Sequence, residues 1–116
     1  MTDPNCLFCK IAAGEIPSAS VHEDELVLAF DDINPVAPVH QLVIPKRHIA
    51  SAADLAENDA PLLGRLFAVA AKLAADAGLP EDGYRLVTNV GADGGQSVDH
   101  LHFHLLGGRA MAWPPG

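Results

Sequence analysis

Near one end of the chain lie three imidazoles at alternate positions, His100-Leu101-His102-Phe103-His104. In an extended segment side chains alternate between faces, so Leu101, Phe103 and Leu105 are expected on one side and His100, His102 and His104 on the other. Burying the apolar three contributes roughly 1.5 to 3 kcal/mol each, and a slip by one residue would bury the imidazoles instead. The pattern therefore predicts that the histidines face open space. Successive rings on that face lie roughly 6 to 7 Å apart, which leaves the middle one, His102, with a partner on either side. An imidazole near its ordinary pKa of about 6.5 is largely neutral at neutral pH, so one nitrogen can attack while the other keeps its proton in an orienting hydrogen bond. His102 is the predicted nucleophile. A lone histidine such as His22 is expected to be filler.

Two histidines at i and i+2 on a strand can also share a zinc ion, so His102 and His104 could be metal ligands instead. The segment just before them favours phosphate. Asn89-Val90-Gly91-Ala92-Asp93-Gly94-Gly95-Gln96-Ser97 is rich in glycine and in neutral hydrogen-bond donors. Gly94 and Gly95 let the backbone approach an anion closely, while the Asn89 amide and the Ser97 hydroxyl add side-chain donors. The net charge narrows the choice of phosphate. With 7 Lys and Arg against 15 Asp and Glu, the chain carries a formal charge of -8, which disfavours a nucleic acid polymer held by many cations. A mononucleotide bound by neutral donors and imidazoles fits better.

The elements that must position these groups follow from periodicity. The 116 residues fit one domain, 1–116, and a hydrophobic share of 49% with 19% charged residues predicts a packed globule. A short helix is expected over Phe8 to Ala13, closed by Gly14, then strands near Ser20 to Glu23, Leu26 to Phe30 and Gln41 to Ile44. From Asp59, Leu62, Leu63, Leu66, Phe67, Ala70, Leu73, Ala74 and Ala77 recur at helical spacing up to Gly78. Tyr84 to Val90 and the histidine run supply the fourth and fifth strands. The expected fold class is α+β, an antiparallel sheet with the long helix covering one side. The N-terminus has no basic and apolar leader, and no stretch of about 18 apolar residues occurs, so a cytoplasmic location is expected.

The alternating run His100 to Leu106 resembles the signature of the histidine-triad (HIT) nucleotide-binding superfamily. The likeness extends to Cys6-Leu7-Phe8-Cys9-Lys10-Ile11, Gly14-Glu15-Ile16-Pro17, Phe30-Asp31-Asp32-Ile33-Asn34-Pro35, Leu42-Val43-Ile44-Pro45-Lys46-Arg47-His48, Gly94-Gly95-Gln96-Ser97 and the closing Trp113-Pro114-Pro115-Gly116, which look like its Hint branch. That resemblance implies a five-stranded HIT-like fold in a two-fold dimer. It implies a purine nucleoside phosphoramidase that cleaves the P–N bond of adenylated amines through a nucleotidyl-histidine intermediate. By the same resemblance His102 attacks the α-phosphorus, His104 and Ser97 attend the phosphate and leaving group, and His40 supports the histidine array. Asn89, Gly95 and Gln96 meet phosphate oxygens, and Asp32 accepts the ribose hydroxyls. Leu7, Phe8, Ile11, Phe30, Ile33 and Leu42 wall the base.

Bacterial members of the superfamily often hold a structural zinc with a C-x-x-C pair and two histidines, matched here by Cys6, Cys9, His48 and His100. No cofactor is expected to be needed for catalysis itself. The apolar tail around Trp113 is expected to cross a homodimer toward the partner's site. Asp99 stands where the branch has an aromatic residue. Rival expectations are a dinucleoside polyphosphate hydrolase or nucleotidyl transferase of the same superfamily, a zinc-dependent hydrolase, and a non-enzymatic nucleotide sensor or interaction module.

Overall fold

The computed structural model describes residues 2–116 of the chain. Helix α1, Leu7–Ala12, starts one residue earlier than expected because Cys6 caps it, its Sγ accepting the Cys9 amide at 3.4 Å. Strands β1 (Ser20–Glu23), β2 (Val27–Asp31) and β3 (Val39–Pro45) follow as two hairpins. Asp24 closes the first of these by accepting the Leu26 and Val27 amides with Oδ1. After two short 3₁₀ turns, α2 runs from Ala60 to Asp76 with Pro61 in its first turn, where a missing amide proton costs nothing. The chain leaves it through Gly78 at φ +73°, a left-handed position that glycine adopts without strain.

Strand β4 is shorter than expected, Tyr84–Val87, because the chain turns through Asn89 and Val90 into a one-turn helix, α3, Gly91–Gly94. Strand β5, Phe103–Gly107, begins at the fourth residue of the histidine run, so His100 to His102 lead into the strand and are not part of it. The five strands form one antiparallel sheet in the order β1-β2-β3-β5-β4. An α+β fold with an antiparallel sheet, one long helix and a short N-terminal helix is thus what the chain adopts. Among the described residues no helix is long and apolar enough to cross a membrane.

Pleating divides the strands between two cores. Val27, Ala29, Val43, Phe103 and Leu105 face α2, packing on its Leu66, Val69, Ala70, Leu73 and Ala74. The helix seam therefore includes Val69, while Phe67 sits on its border at 46% exposed, its ring 5.0 Å from that of Phe103. Leu28, Phe30, Leu42 and Ile44 face the other way and pack beneath Phe8 and Cys9 of α1. Gly107 is required where β5 passes the helix exit, since an added Cβ would meet the Leu79 methyl carbons at 2.5 and 2.7 Å.

Candidate active site

The alternation of the histidine run holds, but its exposure does not. Leu101, Phe103 and Leu105 are buried against α2, as the pattern predicts. His100 and His102, however, are 0% and 3% exposed. The face expected to be open is roofed by α1, whose Phe8 ring meets His102 edge-on at 5.1 Å and His100 at 6.0 Å. A run of residues records which side is apolar; it does not record that a second, short helix covers the polar side.

Each buried ring must satisfy both nitrogens, and this decides the tautomers. His102 Nδ1 lies 2.7 Å from the His100 carbonyl oxygen, which can only accept, so Nδ1 carries the proton and Nε2 keeps a lone pair. The His102 carbonyl is in turn held by the Thr88 hydroxyl at 2.8 Å, just after β4. His40, on β3, accepts the Val36 amide at Nδ1 (3.1 Å), so its proton is on Nε2. That proton is shared between His104 Nδ1 at 2.9 Å and Asp32 Oδ2 at 3.3 Å. His104 therefore carries its own proton on Nε2. The rings of His102 and His104, 5.0 Å apart, thus present opposite chemistry, a bare nitrogen beside an N–H. Burial, helped by the neighbouring His102 and His40 and opposed by Asp32, pushes the His104 pKa down to about 4. A neutral ring of this kind donates a hydrogen bond readily and a whole proton poorly.

A cavity of about 560 Å³ opens beside this array, lined by His40, Arg85 and His104 of the sheet, by Asn89, and by Arg109 and the tail from Met111. Ser97 is exposed and Gly95 ends α3 at φ +79°, and neither lines this cavity. Gln96 does not reach into a site. Its Oε1 accepts the Gly91 amide at 3.0 Å, and its Nε2 donates to the Ala50 and Val98 carbonyls at 2.7 and 2.9 Å, so it braces the glycine-rich turn from inside. The residues expected to wall a base divide. Phe8, Phe30 and Leu42 are core; Ile11 is half-buried; Leu7 is 45% and Ile33 93% exposed. Trp113 is 82% exposed on its own protomer, and Asp99 is exposed. His22, as expected of filler, pairs with Asp24 at 2.7 Å.

Two groups of side chains have metal-ligand types, and they are not equivalent. Cys6 Sγ lies 3.3 Å from His100 Nδ1, and Cys9 Sγ lies 3.3 Å from His48 Nδ1 and 3.5 Å from His100 Nδ1. All four donor atoms fall within 4.8 Å of one another. Tetrahedral zinc with these ligands requires donor separations of about 3.3 to 3.8 Å. His100 donates Nε2–H to the Pro45 carbonyl at 2.7 Å, which turns a lone pair on Nδ1 toward the thiols. Burial lowers the His100 pKa, against the Pro45 carbonyl, and raises that of the Cys9 thiol, so the ring is a ready neutral ligand and the thiol a proton to be displaced. The residues fit zinc. The second group, Asp32, His40 and His104, is also within 4.8 Å. It does not fit, because His40 spends its Nδ1 lone pair on the Val36 amide and a cation on Nε2 would require an imidazolate. That group is a hydrogen-bonded relay.

Thr88 and the Val36 amide orient the array and have no motif in the sequence. Arg85 and Arg109 could have been noticed, being the only basic residues after Lys72.

Comparison with known proteins agrees with this arrangement. A purine nucleoside phosphoramidase of Escherichia coli K12 is 50% identical over 105 residues, spanning 90% of this chain and 88% of its own. A 14 kDa zinc-binding protein of Zea mays is 52% identical over 118 aligned residues, spanning all of this chain and 91% of its own. A HIT family hydrolase from Legionella pneumophila Philadelphia 1 superposes with a TM-score of 0.95 at 59% identity, over 97% of this chain and 100% of that one. With the HIT domain model matching residues 13–111 as well, the chain belongs to the HIT domain family.

Proposed function

We propose that this protein is a purine nucleotide-binding phosphoramidase that cleaves the P–N bond of nucleoside 5′-phosphoramidates, and that it works as a homodimer with Trp113 reaching the partner's site. The observation that carries the reading is the hydrogen bonding of two neighbouring rings, His102 buried and His104 half-buried, whose partners leave Nε2 bare on the first and protonated on the second. The lone pair of His102 Nε2 forms a bond to the α-phosphorus as the bond from phosphorus to the amine nitrogen breaks. The His100 carbonyl takes up the positive character that develops at His102 Nδ1–H. His104, held neutral, directs its Nε2–H at a non-bridging oxygen, a donor already in place when charge builds there. His40, fixed between the Val36 amide and Asp32, keeps His104 in that tautomer. Asn89 and Gly95 supply further donors, and the Ser97 hydroxyl passes a solvent proton to the departing nitrogen, which leaves as the neutral amine; the water that attacks next returns a proton to solvent. Water then attacks the phosphorus of nucleotidyl-His102, releasing AMP and restoring the ring.

Zinc at Cys6, Cys9, His48 and His100 would supply a tetrahedral cross-link between α1, the chain after β3 and the chain before β5, with its charge offset by two thiolates. The fit of the four donors and the zinc-binding maize relative support this.

Adenosine 5′-phosphoramidates of simple amines test the reading. Wild type should release AMP, and a reaction quenched in alkaline denaturant should contain one AMP covalently held on His102 by mass spectrometry. His102→Ala should show neither. Equal rates in the two proteins would end the nucleophile assignment.

A further inference from the structure

The groups assigned to the phosphate all belong to one loop. Strand β4 stops pairing with β5 at Val87 and His104, and the chain re-enters the sheet only at Phe103. Asn89, Gly95 and Ser97 lie in the stretch between, and the nucleophile His102 is its last residue. The outgoing half of this loop is tied to the chain after β3: the Leu101 amide donates to the Ile49 carbonyl at 2.6 Å, and Gln96 Nε2 donates to the Ala50 carbonyl at 2.7 Å. The incoming half is tied at its base by a side chain. Thr88 Oγ1–H donates to the His102 carbonyl at 2.8 Å, joining residues 14 positions apart across the neck of the loop.

Arg85 stands opposite Leu106 and Val87 opposite His104. The same alternation, continued by two residues on each chain, brings Asn89 level with His102 on the face that bears the histidines. Backbone pairing would fix the gap between these two chains, but the ladder has ended at Val87. The Thr88 hydroxyl takes the place of the next rung. It differs in kind from the bond between His102 Nδ1 and the His100 carbonyl, which turns the ring from within the loop. Thr88 instead fixes where the backbone carrying that ring stands relative to Asn89. Hydroxyl and methyl groups have nearly the same size, so packing alone would accept valine here; only the donor makes the clasp.

We propose that Thr88 is a positioning residue for the transfer step: its hydroxyl closes the neck of the glycine-rich loop and sets the distance between the His102 nucleophile and the Asn89 amide. This deepens the phosphoramidase reading and rests on it for the identity of the reacting groups, but one of its tests needs no turnover.

Thr88→Val removes the donor at nearly constant volume, and Thr88→Ser keeps the donor on a smaller side chain. On adenosine 5′-phosphoramidates the valine variant should lose about tenfold in kcat with KM within about twofold of wild type, a part of the roughly hundredfold that a displacement of about 1 Å produces. Serine should restore most of the loss. Asn89→Ala should cost less in Thr88→Val than in the wild type, because the amide is already out of place there; an equal cost in both backgrounds overturns the proposal. Without substrate, proton NMR of protein carrying isotope-labelled histidine reads the His102 Nδ1–H directly. Its exchange with water should be about tenfold faster in Thr88→Val, as expected for the loss of one supporting hydrogen bond, and close to wild type in Thr88→Ser. Unchanged exchange together with unchanged kcat in the valine variant also overturns the proposal. Thr88→Ala, which cannot crowd its neighbours, reads the same quantities should the valine variant fail to fold. Faster exchange in the variant, with a wild type that leaves phosphoramidates intact, would refute the phosphoramidase reading and leave the clasp standing.

Discussion

The neutrality of His104 can be measured through stability. Its pKa in the folded protein is pushed down to about 4, first by burial and then by His102 and His40, against about 6.5 for a histidine in an unfolded chain. A group that holds its proton more weakly when folded makes the protein less stable as the pH falls. Above about pH 6.5 neither state is protonated and the contribution is nil; from there down to about pH 4 the unfolded chain gains the proton first, at about 1.36 kcal/mol per pH unit; below about pH 4 the loss is complete. At about pH 5 the full shift corresponds to about 2 kcal/mol, and partial solvent access to the ring lowers the expectation to about 1 to 2 kcal/mol. The perturbation is His104→Gln, which keeps a donor and an acceptor near the same place but does not titrate. Urea unfolding of both proteins at about pH 7.5 and about pH 5 gives the comparison, and the lowered pKa of His100 cancels because both proteins retain that residue. Wild type should lose about 1 to 2 kcal/mol more than the variant over this interval. Equal losses would show that His104 titrates normally, and the assignment of a neutral donor to it would be wrong.

Three further substitutions probe the frame of the site. Gly107→Ala drives a methyl group into Leu79 at 2.5 Å and should cost about 1 to 3 kcal/mol, so an unchanged melting temperature would show that the helix exit yields freely. Gln41→Met removes a buried side-chain oxygen that has no hydrogen-bond partner, on the α2 side of β3, and should stabilise the protein by about 1 kcal/mol in the same urea assay; a loss of stability would mean that the amide has a partner in solution. Gln96→Ala deletes three hydrogen bonds that brace the turn from Gly91 to Val98, and should lower kcat for the phosphoramidate more than it raises KM. An effect on KM alone would make Gln96 a substrate ligand after all.

Much of the fold was legible because its signals are local. The spacing of Leu66, Ala70, Leu73 and Ala74 gave the long helix, and Gly78 its end. The β-rich run Ser20 to Glu23 forms a strand with those same bounds. Errors arose where a distant contact overrides a short pattern. Val90 looks like strand by type, but the chain there is already bending into α3. Gln96 looked like a donor to phosphate, but its amide is consumed by Ala50, a residue far off in sequence. The burial of His100 and His102 was missed because α1 is too short to announce which face of the sheet it covers.

Alternation along Leu101 to Leu105 was sufficient to place the three imidazoles on one face, since pleating is a property of the backbone and needs no partner. The family likeness was equally plain in the linear order of residues. Folding alone settled which nitrogen of each ring is bare. His40 meets His104 across 64 positions, Cys9 meets His48 across 39 and Cys6 meets His100 across 94. Those encounters follow from inserting β5 between β3 and β4 and laying α1 over the result. A tautomer is decided by what stands opposite each nitrogen, and a residue's neighbours in the chain do not determine its neighbours in space.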